Sequence, residues 1–396
     1  MIEIMPNAYG ESPASSPSLA RLEKLQGFLE HDPDNLSLLA EIADTAISCG
    51  ELETARAMAQ RGLERVPGDP YFSLRLSSVA LAEGNHEEAG EITGSLLQQG
   101  HGDAAVRYNH AHALIGRGRF EEAQEMLSRL YAEGAPFPQI PQLLIRALHY
   151  LGEVEEAIAI AQSYLENHPD AGDVAGMLSL LHFDNDDLAA AEHWSRQALA
   201  QAPNNLDALL AGAGVALAAE DAPSARTLLH RAVSLSPTNG RAWSKLALAD
   251  LLDLDLVSAR EKLAYAVKYM PEHIGTWHIL GWVQLMQQDI DGAETSFCRA
   301  LALDDNFGET HGGLSAIAAM RGDWVSAEDH AKIARRLAPE AMSAHYMQII
   351  RLQQEGKTDT AFRMMEIALK RGHAPSGGNL SEMLRRIASK RRIPRR

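Results

Sequence analysis

The chain has 396 residues, 46% of them hydrophobic but only 6% aromatic, and a formal charge of −17. That length exceeds the roughly 250 to 300 residues at which a single globular core stops growing, and so acidic a body repels nucleic acid and anionic membrane. Abundant Ala and Leu favour close-packed helices over sheets, while two cysteines, Cys49 and Cys298, make neither a disulfide framework nor a CxxC redox or metal pair.

Residues 1–17 lack the basic and the continuous apolar regions of a signal peptide and are expected to be disordered. Nowhere do about 18 apolar residues run together, so the expectation is a soluble, cytoplasmic protein. Ser18 then precedes Leu19, Leu22, Leu25, Phe28 and Leu29, whose spacing predicts an amphipathic helix over 18–35.

From residue 36 the sequence repeats. Pro33, Pro67, Pro169, Pro203, Pro237, Pro271 and Pro339 are separated by multiples of 34. Ala55, Ala89, Ala123, Ala157, Ala191, Ala225, Ala259, Ala293, Ala327 and Ala361 recur every 34 residues without exception. A minimal side chain recurring at one helical position means that another backbone approaches closely there. A second small-residue register holds Ala43, Ser77, Ala111, Ser179, Ala213, Ala247, Gly281 and Ser315, with Ile145 and Ile349 departing from it. Between the two registers a turn is signalled by Gly50, Gly84, Gly118, Gly152, Asp186, Asp221, Asp289, Gly322 and Gly356. Residues 36–373 therefore read as ten helix-turn-helix units, with Pro138 and Pro141 predicting a bend or looser packing where they crowd one helix start. The helix over 18–35 covers the apolar end of this stack.

At the other end, Asn379 with Glu382 can cap a helix that carries Leu380, Met383, Leu384 and Ile387 on one face, so 374–396 is expected to be a C-terminal capping helix and basic tail. Arg385, Arg386, Lys390, Arg391, Arg392, Arg395 and Arg396 against Glu382 give residues 380–396 a surplus of six positive charges, leaving −23 for the rest of the chain. These cations complement the helix macrodipole, or they contact nucleic acid, anionic membrane or an acidic partner surface.

The units resemble the tetratricopeptide repeat. The eighth carries Trp277, Leu280, Gly281, Ala293, Phe297 and Ala300 at the family's Trp, Leu, Gly, Ala, Phe and second Ala places, with Asp305 where Pro is usual. The seventh follows with Trp243, Leu246, Ala247, Ala259, Leu263, Ala266 and Pro271. The resemblance implies an all-α, right-handed solenoid, a superhelix whose first helices line a concave groove at positions 2, 5, 9 and 12 of each unit. Those positions give an apolar wall of Leu180, Phe183, Leu210, Leu217, Leu248, Leu251, Trp282, Leu285, Tyr346 and Ile350, suited to an amphipathic helix or an extended segment of a partner. The competing reading is that these side chains pack among themselves and against the second helices. In the first half, Tyr108, His112, Arg146, His149 and Tyr150 form a polar candidate site suited to a peptide carboxylate or acidic side chain.

No nucleotide-loop, dinucleotide, zinc-protease or nucleophile-elbow motif is present, metal-ligand spacing is absent, and the flanks of the array are too short for a catalytic domain. The expected function is a non-catalytic protein-protein interaction module, an adaptor or assembly scaffold with no cofactor and no metal. Two alternatives stand beside it: a holdase-type chaperone for exported or unfolded clients, and a nucleic-acid or anionic-membrane adaptor acting through the tail.

Overall fold

The computed structural model describes residues 16–339, 341–371, 381, 382 and 385. The segment predicted to be disordered lies outside the described residues except for Ser16 and Pro17, as does the predicted C-terminal helix and tail except for Ser381, Glu382 and Arg385. Among the described residues every regular element is a helix. The chain divides into two compact units, residues 2–181 and 182–396.

In the N-terminal unit, α1 (Ser16–His31) precedes α2 (Leu36–Cys49) and α3 (Leu52–Arg65), then α4 (Pro70–Ala82) and α5 (His86–Gln98). There follow α6 (Ala104–Gly116) and α7 (Phe120–Ala132), then α8 (Ile140–Leu151) and α9 (Val154–Asn167). The unit boundary falls inside α10 (Gly172–Asp184), and the C-terminal unit continues with α11 (Leu188–Gln201). Its pairs are α12 (Leu206–Ala218) with α13 (Ala222–Leu235), α14 (Gly240–Leu252) with α15 (Leu256–Tyr269) and α16 (Ile274–Met286) with α17 (Ile290–Leu303). The last two are α18 (Gly308–Met320) with α19 (Trp324–Leu337) and α20 (Ser343–Gln354) with α21 (Thr358–Arg371). Within each unit a helix packs on its pair partner and on the next helix, and first helices also meet, as α2 with α4, α4 with α6 and α18 with α20 do.

The two small-residue registers are where the partners touch. All ten alanines of the second-helix register are buried, and so is every member of the first-helix register. The closeness is explicit in the ninth unit, where Ser315 Oγ on α18 donates to the Ala327 carbonyl on α19 at 2.7 Å. In the eighth, a Cβ on Gly281 would stand 2.8 Å from the Phe297 ring, which is fully buried. The glycine is what lets a bulky ring fill the space between the helices.

The turn inside each unit has one conformation throughout. Residues at 34-residue intervals from 50 to 356 all have positive φ: six are glycines, and the other four are Asp186, Glu220, Leu254 and Gln288. Glu220 and Gln288, rather than Asp221 and Asp289, are therefore the left-handed residues, and Leu254 fills the seventh turn, for which the sequence offered no signal. Asp221 and Asp289 have a different job: like Asp187, Asp255 and Asp323 they cap the second helix, each carboxylate accepting from the backbone N–H three residues on at 3.0–3.2 Å.

A lock closes four successive inter-unit turns. The ring N–H of Trp243, Trp277, His311 and His345, spaced 34 apart, donates to the carbonyl six residues earlier at 2.7–3.1 Å. A carbonyl can only accept, so His311 and His345 carry a proton on Nε2. At the N-terminal end, Leu22, Leu25 and Leu29 of α1 join Leu39, Ile42 and Ala46 in one core, while Phe28 stays exposed.

Candidate functional site

A cavity of about 340 Å3 opens in the N-terminal unit between α2, α4, α6 and the segment before α8. Asp44, Ile47, Leu74, Ser78, Ala105, Tyr108 and Gln139 line it from positions 2, 5, 9 and 12 of their units, and Arg75, Asn109 and Phe137 complete the wall. The last of these owes its place to the chain around it. Phe137 lies between Pro136 and Pro138, and a residue before proline is driven out of the helical region, so α8 starts only at Ile140. The freed Phe137 ring stacks on Tyr108 at 4.8 Å with 9° between planes.

One side of the cavity is polar. Arg75 donates from Nε to Asp44 Oδ1 at 2.7 Å and lies 3.6 Å from the Tyr71 ring centre, while the Tyr71 hydroxyl donates to Asp44 Oδ2 at 2.5 Å. Burial works to raise the Asp44 carboxyl, but the hydrogen bonds from Arg75 and Tyr71 and the Arg75 charge win and hold it below the usual carboxylate range. Burial and the bond to Asp44 push the Tyr71 phenol up to about 12. Asn109, itself buried, gives its amide hydrogens to Ser77 Oγ and Ser78 Oγ at 2.9 Å each. Its carbonyl remains an acceptor. The other side, Ile47, Leu74, Tyr108 and Phe137, is apolar, so the site combines a hydrophobic slot with hydrogen-bonding groups able to meet a peptide backbone.

The residues singled out from sequence are distributed more widely. Tyr108 lines the cavity, but His112, one turn on, is buried with its ring 6.0 Å from His86; burial and then the His86 imidazole pull its pKa down to about 4. Arg146 and His149 are half-buried and outside the cavity wall, and Tyr150 is exposed and stacked on Phe120 at 4.5 Å. Of the polar candidate residues, Tyr108 is the one on the wall of this cavity. Of the apolar wall, Leu180 is buried in the N-terminal unit, and Leu210, Leu285 and Ile350 are buried in the C-terminal one, leaving almost no surface for a guest. Phe183, Leu217, Leu248, Leu251, Trp282 and Tyr346 keep part of their surface. Trp282 meets Phe297 and Tyr346 edge-on at 5.6 Å each, donates to His278 Nε2 at 3.0 Å and packs on the core that holds Leu285 and Ile350. Arg75 and Phe137 were not in the sequence reading; the Pro-Phe-Pro run was the available signal for the second. Among the described residues no group of three or more His, Cys, Asp or Glu could hold a metal ion, and no helix is long and apolar enough to cross a membrane.

No curated protein matches the chain. Among solved structures, a human IFIT1 dimer with m7Gppp-AAAA is similar at TM-score 0.53 and 14% identity, over 85% of this chain and 90% of that one. PilF of Pseudomonas aeruginosa is similar at TM-score 0.46 and 16% identity, over 58% and 98%. The Cut9–Hcn1 hetero-tetramer of the APC/C is similar at 0.45 and 12%, over 91% and 86%. Two models of the tetratricopeptide repeat match the sequence, one over residues 41–105 and 143–205 and the other over 80–144. With the 34-residue period, the invariant alanines and the paired helices already in place, these matches within residues 41–205 support a tetratricopeptide repeat protein.

Proposed function

We propose that the chain is an adaptor or assembly scaffold that holds an extended peptide segment of a partner protein in the cavity of its N-terminal unit. Tetratricopeptide repeats generally mediate protein-protein interaction and assembly and are typically non-catalytic modules. The observation that carries the reading is the cavity's division into an apolar slot, closed by the Tyr108–Phe137 stack, and a polar wall of Arg75 and Asn109. A bulky apolar side chain fills the slot. The peptide backbone then donates to the Asn109 carbonyl and accepts from Arg75.

The free thiols of Cys49 and Cys298 support work in a reducing compartment such as the cytoplasm. The human IFIT1 structure holds a capped oligonucleotide, but likeness at 14% identity speaks for the fold alone, and a charge of −17 opposes a phosphate backbone.

The test compares proteins recovered with the tagged wild-type chain and with an Arg75→Gln/Phe137→Ser double variant of unchanged helicity. The expected result is at least tenfold loss of one discrete partner. Recovery of the same proteins by both chains overturns the reading, and suppression of aggregation of many unrelated unfolded proteins by the wild-type chain replaces it with the holdase one.

A further inference from the structure

Two flat, delocalised groups stand on the wall of the N-terminal cavity, the Phe137 ring on its apolar side and the Arg75 guanidinium on its polar side. Each already has one face covered. Tyr108 backs Phe137 at 4.8 Å with 9° between planes, and the Arg75 Cζ lies 3.6 Å from the ring centre of Tyr71, which is outside the wall. Tyr108 is buried, whereas Phe137 and Arg75 are half-buried and keep part of their surface. No further ring of a described residue meets either of them.

The charges of the wall cancel. Asp44 and Arg75 are its only charged residues, and Arg75 donates from Nε to Asp44 Oδ1 at 2.7 Å and from Nη2 to Oδ2 at 3.3 Å. A guest carboxylate would compete with Asp44 for the guanidinium, and a guest ammonium with Arg75 for the carboxylate. A neutral side chain disturbs neither. Volume leaves aliphatic and aromatic guests open, since about 340 Å3 admits both. Electrostatics separates them: a ring has negative faces and gains about two- to tenfold in affinity from a neighbouring cation or an offset ring, whereas a saturated side chain of equal size gains only burial.

We propose that the partner segment held in this cavity anchors itself with a neutral aromatic residue, Phe, Tyr or Trp, whose ring extends the Tyr108–Phe137 stack and lies against the Arg75 guanidinium. This rests on the peptide reading of the cavity and adds to it the identity of the anchoring side chain. The guanidinium is suited to the task because two hydrogen bonds to one carboxylate fix its plane. A nucleobase offers a similar face, but the phosphates it carries would meet a chain of charge −17 and a wall whose one cation is already matched.

The test uses the full chain with 13C-labelled isoleucine methyl groups and follows the signal of Ile47, a wall residue, assigned by its loss in Ile47→Val. Acetyl-Ala-X-Ala-amide is titrated in with Phe, cyclohexylalanine, Glu or Lys at X; cyclohexylalanine keeps the shape of Phe and lacks its π-face. The Phe peptide should move the Ile47 signal and bind about fivefold or more tighter than the cyclohexylalanine peptide, with the Glu and Lys peptides weaker still. Phe137→Leu and Arg75→Met, which keep apolar bulk, should each cut that preference at least about twofold while the isoleucine signals of the C-terminal unit stay in place. Equal affinity for the Phe and cyclohexylalanine peptides overturns the aromatic anchor and leaves the peptide reading standing. Tighter binding of the Glu or Lys peptide, or a Phe preference undiminished in both variants, also overturns the anchor. No response of Ile47 to any of the four peptides overturns both readings, and a response to oligoadenylate alone does the same.

Discussion

His112 lies on the same helix as the cavity residues Tyr108 and Asn109, yet it is buried beside His86 and held neutral at pH 7. The sign of its effect follows from proton uptake. Above about pH 6.5 the imidazole is neutral in both folded and unfolded chains, and stability is unaffected; below it the unfolded chain takes the proton first, and the folded state loses ground until its own imidazole protonates near 4. Full expression of that difference is about 3 kcal/mol. Urea unfolding of His112→Gln should accordingly show a shallower loss of stability between pH 6.5 and 4 than the wild type, and equal slopes would refute the assignment. The position of His112 on a first helix was legible in the sequence. Its burial was not, because it depends on the His86 ring packing over Gly116, where a Cβ would come within 2.1 Å.

Within the helical pair, the turn decides how tightly the second helix returns. Ten turns share a left-handed residue, and four of them hold it without glycine. For an ordinary residue that conformation costs about 1–2 kcal/mol, of which glycine returns only part because it is freer in the unfolded chain. Leu254, half-exposed and with φ of 55°, has little burial to lose. Leu254→Gly should therefore raise stability by about 0.5–1 kcal/mol and Leu254→Ile lower it, as read from urea midpoints; a Gly variant no more stable than the wild type would contradict this. Asp221 and Asp289 illustrate the limit of reading turns from composition, since Asp serves both as a turn residue and as a helix cap, and the backbone decides between the two.

Across the molecule, stability is a sum of units and of contacts between neighbours. The Phe297 ring is shared by Gly281 and Gly313, so it joins the eighth unit to the ninth. Gly281→Val should cost about 1–3 kcal/mol by displacing a fully buried ring. In amide exchange the loss should be concentrated in α16–α19 and leave α2–α9 protected as before. Uniform loss along the chain would show that the repeats do not unfold locally.

The period, the helical pairs and their contact lines were determined by sequence alone, because a side chain of minimal volume every 34 residues admits a second backbone at one place and no other. Which groove positions remain open was decided by tertiary structure. Leu210, Leu285 and Ile350 occupy the repeat positions that line a groove, but neighbouring helices offer each enough apolar surface to bury it. Phe137 enters the N-terminal cavity because two prolines release it from a helix and Tyr108 is there to meet it. Arg241 of α14 is matched by Asp184, a residue 57 positions away. Spacing sets where a helix face lies; the volumes and charges that arrive from distant repeats set what that face can still bind.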